Sequence, residues 1–222
     1  MARAAIFDLD GTLLDSMTDI AIACNQALRQ HGFAEKPVEA YRDFVGEGVV
    51  SLLSRALAPQ PFSEAVLATY KDLYPRQMFE HTAPYPGIVA ALRELAAAGV
   101  PLGVLSNKPH PATAALVAHF FGDIAWRGAY GHRPEWPRKP DPTSALALCR
   151  EFGVEPADCA FVGDSAVDVA TGRNAGMPVV GVLWGFRPAE AQLADTVAAH
   201  TAEIPALIRR AGVADLRRTV TT

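Results

Sequence analysis

The chain has 222 residues, half of them hydrophobic, a formal net charge of −4 and three cysteines. That length buries a substantial core in one large domain or a domain carrying an insertion, and the charge balance gives no pull toward nucleic acid or anionic lipid. No run of about 18 apolar residues occurs, Asp8 and Asp10 interrupt the opening segment too soon for a secretory signal, and Cys24, Cys149 and Cys159 lie in apolar stretches without CxxC spacing, so a soluble cytoplasmic protein with buried thiols is expected.

In chain order, residues 4 to 9 form a strand-like apolar run that ends on two like charges one residue apart, followed by Gly11 and Thr12. Between Ser16 and Ala83 there are about four helical segments and no convincing strand. "MTDIAIACNQALRQHG" spaces Ile20, Ala23, Ala27 and Leu28 helically and stops at Gly32, and Pro37 suits the next helix start. "FVGEGVVSLLSRALAP" breaks at Gly46 and Gly48 before resuming, and Ser63 with Glu64 opens "SEAVLATYKDLYPRQMFE" as a cap. The apolar stripes of these segments read as core packing. Pro84 and Pro86 mark the return to a different pattern.

From residue 84 onward helical patterns alternate with short apolar runs: "PGIVAALRELAAAG" with "VPLGVLSN", "PATAALVAHF" with "DIAW", "DPTSALALCREFG" with "CAFVGDS", and "AVDVATGRNAG" with "MPVVGVLW". Such a βα repeat predicts an α/β fold with a parallel sheet and helices on both faces. Gly99, Gly153 and Gly176 stand where helices close. The polar residues then fall at equivalent places: Asp8 and Asp10 end the first strand, Ser106 and Asn107 end "PLGVL", and Asp164 ends "CAFVG". In an open parallel sheet, ligands bind at those carboxyl ends. Singly, DxDG is a turn, SN a loop start, KP a turn and GDS a helix cap; together, on these strand ends, they point to a site.

"DLDGTLLDS", "VLSNKP", "RKPDP" and "FVGDSAVD" resemble the four motifs of the haloacid dehalogenase superfamily of aspartate-nucleophile phosphohydrolases, in its phosphoglycolate phosphatase-like branch, and "PYPGI" and "AGMPVVGV" match that branch as well. The resemblance covers nearly the whole chain. It implies a Rossmann-like catalytic core of residues 1–15 and 84–222 and an all-helical cap over 16–83. It further implies Asp8 as nucleophile, Asp10 as general acid/base, Ser106 as phosphate ligand, Lys139 as charge stabiliser, and Asp164 as Mg2+ ligand with Asp168 nearby and the main-chain carbonyl of Asp10 in the same shell.

Residue chemistry supports those roles. A carboxylate at Asp8 can attack phosphorus and split hydrolysis into two displacements. Asp8 and Asp10, two apart, project to one side if the strand stays extended, which lets Asp10 protonate a leaving alkoxide and then take a proton from water; the other reading of Asp10 is an Asx-turn former. Gathering Asp8, Asp10, Asp164 and Asp168 calls for a cation, since two carboxylates about 4 Å apart repel by roughly 4 kcal/mol at an effective dielectric near 20. Hard oxygen ligands and a phosphate substrate favour Mg2+, with Asp168 either a ligand or an orienting group behind the others. Pro140 biases Lys139 toward an extended backbone, from which its ammonium offsets phosphoryl charge. Gly11, Thr12, Ser106 and Asn107 form the expected phosphate cradle, with a structural role for Thr12 equally open.

One departure stands out: the branch often has a Gly-Asp pair before the lysine, whereas "YGHRPEWPRKP" places His132 there and Trp136 after it, so His132 reads as a packing or solvent residue and substrate choice near this loop is less transferable. The remaining histidines show no metal spacing. The leading expectation is an Mg2+-dependent phosphatase of a small phosphorylated metabolite, 2-phosphoglycolate first, acting as a monomer or homodimer with no nucleic-acid or membrane partner. A sugar-phosphate phosphatase or phosphomutase is the rival in the same chemistry, and a phosphoacceptor signalling module is the rival outside enzymes. A loop of Gly46, Glu47 and Gly48 dipping toward substrate, and Arg42 as a cation for a substrate carboxylate, complete the expectations.

Overall fold

Alternate residues of β1 (Ala4–Phe7) serve two different cores, Ala5 and Phe7 packing into one layer and Ala4 and Ile6 into the other. The structure is a computed structural model and describes residues 2–211. After β1 come β2 (Leu14–Asp15), the helices α1 (Met17–Gln30), α2 (Tyr41–Phe44), α3 (Val49–Leu57) and α4 (Glu64–Gln77), and then β3 (Ala83–Pro84). From there helix and strand alternate: α5 (Ile88–Ala97), β4 (Leu102–Pro109), α6 (His110–Phe121), β5 (Trp126–His132), α7 (Thr143–Phe152), β6 (Cys159–Gly163), α8 (Ala166–Asn174), β7 (Val179–Val182), α9 (Pro188–Ala191), β8 (Thr196–Ala198) and α10 (Ile204–Arg210).

Six strands form one parallel sheet in the order β5-β4-β1-β6-β7-β8. The chain steps outward from β1 to β4 and β5, then crosses to build β6, β7 and β8 on the other side, so the strand order reverses at β1. Phe7 lies opposite Val104 of β4 and Val162 of β6, which sets the carboxyl ends of the three central strands side by side. That reversal opens a crevice where ligands bind in such sheets. On one face α5, α6 and α10 contribute Leu92, Leu116 and Ile208 to the core with Phe7; on the other α7 packs Ala145 and Leu148 against Ile6 and Phe161.

Residues 16–83 are helical, as the spacing predicts. Ile20, Ala23, Ala27 and Leu28 of α1 are buried, α1 packs along α4, and the Ser63 hydroxyl accepts from Val66 N–H at the start of α4. The segment is pinned where it leaves and returns by β2 and β3, an antiparallel pair with Leu14 opposite Pro84 and Asp15 opposite Ala83. Beside that pair, buried Asp19 accepts hydrogen bonds from His81 N–H at 3.0 Å, Thr82 N–H at 2.8 Å and the Thr82 hydroxyl at 2.7 Å. Burial alone would push its pKa up, but the donors of Thr82 and His81 outweigh it and hold the carboxyl below its ordinary range.

Two expectations are corrected. The strand sought at "DIAW" begins only at Trp126 and runs on to His132, because Ile124 N–H bonds to Phe121 O and Trp126 N–H to Ile124 O in a turn. β5 is a half-buried edge strand with Gly128 and Gly131 where an apolar run would have marked it. β8, three residues at the opposite edge, was not expected at all. Among the described residues, no helix is long and apolar enough to cross a membrane.

Candidate active site

β1 ends at Phe7, so Asp8 is the first residue past the strand, its N–H still bonded to Val162 O at 2.9 Å. The expected extension through Asp10 does not occur. Leu9 O accepts from the N–H groups of Thr12, Leu13 and Leu14, and Gly11 takes φ +84°. A Cβ at Gly11 would overlap the Asp164 carboxylate, so glycine is required here by both backbone conformation and close approach. The tight turn presses the loop after β1 against the end of β6.

Within that contact lies a buried ionic network. Lys139 Nζ donates to Asp8 Oδ1 at 2.7 Å and to Asp168 Oδ1 at 2.6 Å, with its side chain 3% exposed. Asp168 Oδ2 accepts from Ser165 N–H at 3.1 Å and its hydroxyl at 2.6 Å, a capping box that opens α8. Asp164 Oδ2 accepts from Phe186 N–H at 2.7 Å. Oxygens of Asp8, Asp164 and Asp168 lie within 4.8 Å of one another, so three carboxylates face one ammonium. Burial, then the charge of Asp168, pushes the Asp8 carboxyl up to about 7 against the opposing pull of Lys139; burial and the same neighbours drive Asp164 well above the carboxylate range. Lys139 goes the other way from what burial dictates, its proton held more tightly because Asp168 and Asp8 outweigh desolvation.

The donor set fits a hard divalent cation. Asp8 Oδ2 and Asp164 Oδ1 receive no hydrogen bond from the described residues, no histidine or cysteine joins the group, and both oxygens of Asp168 are engaged by Lys139 and Ser165. Asp168 therefore stands behind the other two, orienting Lys139. Asp10, expected beside the ion through its main-chain carbonyl, keeps its side chain out of this group. Its carboxylate is gripped by Lys108 Nζ at 2.9 and 2.8 Å and by the Ser16 hydroxyl at 2.5 Å. The turn at Gly11 aims it there. Lys108 was not singled out from the sequence, though an ammonium in the apolar strand run of "VLSNKP" was the available signal.

A cavity of about 250 Å³ covers these groups, bounded by Asp8, Asp10, Ser106 and Lys108 on the sheet side and by Leu52 and Tyr74 from the helical segment. The model of the haloacid dehalogenase-like hydrolases matches residues 2–176, a span that takes in Asp8, Asp10, Ser106, Lys139, Asp164 and Asp168. The chain belongs to that family. Its relatives include a phosphoglycolate phosphatase from Rhodospirillum rubrum, 37% identical over 84% of this chain and 81% of that one, and one from Pseudomonas putida, 34% identical over 86% and 74%. Among solved structures, a haloacid dehalogenase-like family protein from Streptococcus pneumoniae superposes with a TM-score of 0.83 at 25% identity, covering 93% of this chain and 98% of its own.

The remaining candidates of this hydrolase fall into distinct places. Ser106 lines the cavity, its oxygen accepting from Lys108 N–H at 3.3 Å. Asn107 spends its side-chain amide on the protein, donating to Gly46 O at 3.0 Å and Lys139 O at 3.1 Å and accepting from Lys139 N–H at 2.9 Å; it fixes the lysine loop and reaches the helical segment. The Thr12 hydroxyl is buried with no partner among the described residues, while its carbonyl accepts from Trp184 Nε1 at 3.1 Å. Gly46 and Gly48 line the cavity, but Glu47 turns aside to pair with Arg55. Arg42 is exposed and offers only its carbonyl, to Arg187. His132 and Trp136 border a separate small cleft, where burial and the charge of Arg138 lower the His132 pKa.

Proposed function

We propose that this hydrolase is a phosphomonoesterase of small phosphorylated metabolites, 2-phosphoglycolate foremost, working through an aspartyl phosphate on Asp8. The observation that carries the reading is the state of Asp8: buried at the strand-order reversal, one oxygen fixed by Lys139 and the other, at the cavity, without a donor among the described residues. The names of the two relatives support the substrate. Residues 16–83 are read as a cap that closes over a core of 1–15 and 84–222 and excludes bulk water.

In this reading Asp8 Oδ2 forms a bond to phosphorus as the ester oxygen leaves. Asp10, in its acid form, gives a proton to that alkoxide, then as a carboxylate takes one from the water that breaks the acyl phosphate. Lys139 offsets charge on the transferring phosphoryl group, and the Ser106 hydroxyl with the amides around Gly11 and Thr12 orients its oxygens. Asp8 and Asp164 would hold Mg2+, together with the Asp10 carbonyl and with Asp168 behind, and the ion supplies the positive charge that lets a phosphate dianion approach ionised carboxylates.

Two measurements test this. In a panel of phosphate esters with Mg2+, 2-phosphoglycolate should give the highest kcat/KM; sugar phosphates at the top, or transfer to a second sugar hydroxyl, would move the assignment to a sugar phosphatase or mutase. With a chirally labelled phosphoryl group, two in-line displacements return the original configuration. Inversion would mean that water strikes phosphorus directly and Asp8 is not the nucleophile.

A further inference from the structure

Two polar groups on the cavity wall have no use in the reaction described above. The Tyr74 hydroxyl, on a residue 4% exposed, has no hydrogen-bond partner among the described residues. Lys108 Nζ sits 4.8 Å from the centre of the Tyr74 ring, with a side chain 6% exposed, and its hydrogen bonds both go to Asp10, which leaves one of the three ammonium protons unspent. We infer that Tyr74 and Lys108 form a subsite for a carboxylate carried by the leaving group, so that the preferred substrates are short, acidic phosphate esters. This rests on the phosphomonoesterase reading of the same cavity.

Burial and the charges of Asp10 and Asp19 hold the Tyr74 proton on its oxygen, so the phenol is a donor in want of an acceptor. A cation beside it selects an anionic acceptor over a neutral hydroxyl, since charge-assisted bonds are about twice as strong as neutral ones. The other cations of the wall are poorly placed for that work: Lys71 is exposed, and Arg187 is spent on the carbonyls of Arg42, Asp43 and Val45 and on Glu190. Position also limits length. Lys108 touches Asp10 at 2.8 Å, and Asp10 is the group that meets the ester oxygen, so a carboxylate reached by Lys108 stands one or two carbons from that oxygen. Leu52 and Pro75 on the same wall offer nothing to a row of sugar hydroxyls.

The test compares two esters that differ in the acidic group alone, 2-phosphoglycolate and ethyl phosphate, on the whole protein with Mg2+. The wild type should prefer the acid. Tyr74→Phe should cut the ratio of the two kcat/KM values about tenfold, chiefly through KM for the acid, and Lys108→Met should cut it further, with Lys108→Arg keeping more of it than Met. Variants that slow both esters in equal proportion would overturn the inference, leaving Lys108 as a positioning residue for Asp10. Should Lys108→Met fail to fold, Tyr74→Phe, which removes a single oxygen, decides. A wild type that turns over ethyl phosphate as well as the acid sinks this inference but not the proposed activity; one that turns over no phosphomonoester sinks both.

Discussion

The two walls of the cavity are held by different means. On the sheet side, Asp8, Lys139 and Asp168 come from the ends of β1, the loop before α7 and the start of α8, and are locked by buried ion pairs at 2.6 and 2.7 Å. On the helical side, beyond the Ser16–Asp10 bond and the β2–β3 pair where the segment leaves and returns, the ties described across the cavity are bonds to main-chain carbonyls: Asn107 to Gly46, and Arg187 to Arg42, Asp43 and Val45. Bonds of that kind contribute about 1 kcal/mol net when neutral and about 1.5–3 kcal/mol from a charged donor, whereas breaking a buried pair costs about 3–5 kcal/mol. Groups that must be placed to a fraction of an ångström sit on the stiff wall. In the cap reading proposed above, the other wall is the one that parts from it.

The largest way to break the comparison is at Asp8. Asp8→Asn keeps the shape and removes the proposed nucleophile, so turnover should drop by at least about 10³-fold with the far-ultraviolet spectrum unchanged; retained activity on an aryl phosphate would take Asp8 out of its role. The same change deletes a buried charge, so without metal the variant should melt above the wild type near pH 8. Next is Lys139→Met, which leaves three carboxylates facing one another. Urea denaturation should show about 3–5 kcal/mol lost, an effect Mg2+ recovers in part.

Metal removal sharpens the contrast through pH. The Asp8 carboxyl titrates at about 7 in the folded chain against an ordinary value of 3.8, so the native state binds the extra proton between those values. Its contribution to stability is thus full below about pH 4 and is lost as pH rises through 7. Metal-free protein should show a thermal midpoint that falls over that window, and added Mg2+ should lift it most at the alkaline end. A flat profile would mean that the cluster is ionised and screened without an ion.

How far the sequence carried this picture depends on distance along the chain. The βα repeat, the helical run of 16–83 and the placing of Asp8 and Asp164 just past strand ends were legible because apolar runs and turn residues are local signals, whereas Ser106 and Asn107, expected to end their strand, lie inside β4, which runs on to Pro109. Lys108 was not, since its value comes from Asp10, 98 positions away across the crevice. Tyr74 sits in a helical apolar stripe and reads as core; what distinguishes it is a hydroxyl without a partner among the described residues. Asn107, chosen for phosphate, turned out to brace Lys139 and Gly46, a role set by side-chain geometry that no spacing encodes. β5 and β8 escaped because edge strands need only half an apolar pattern.

The smallest effect is expected at the wall formed by the helical segment. Arg187 donates to Val45 O at 2.7 Å, Asp43 O at 3.1 Å and Arg42 O at 3.2 Å, carbonyls at the end of α2 that have no helical partner. Arg55, from within the helical segment, reaches Asp43 O at 3.2 Å and Phe44 O at 3.3 Å, so α2 stays capped when Arg187 is gone. Arg187→Ala should therefore cost about 1.5–3 kcal/mol of stability and leave the fold intact. Its signature lies in closure: KM should rise several-fold with kcat less affected, and amide exchange should quicken over residues 41–48. Unchanged exchange there would place the hold on the apolar surface of α3 and α4, and since apolar contacts are non-directional that wall would slide rather than swing.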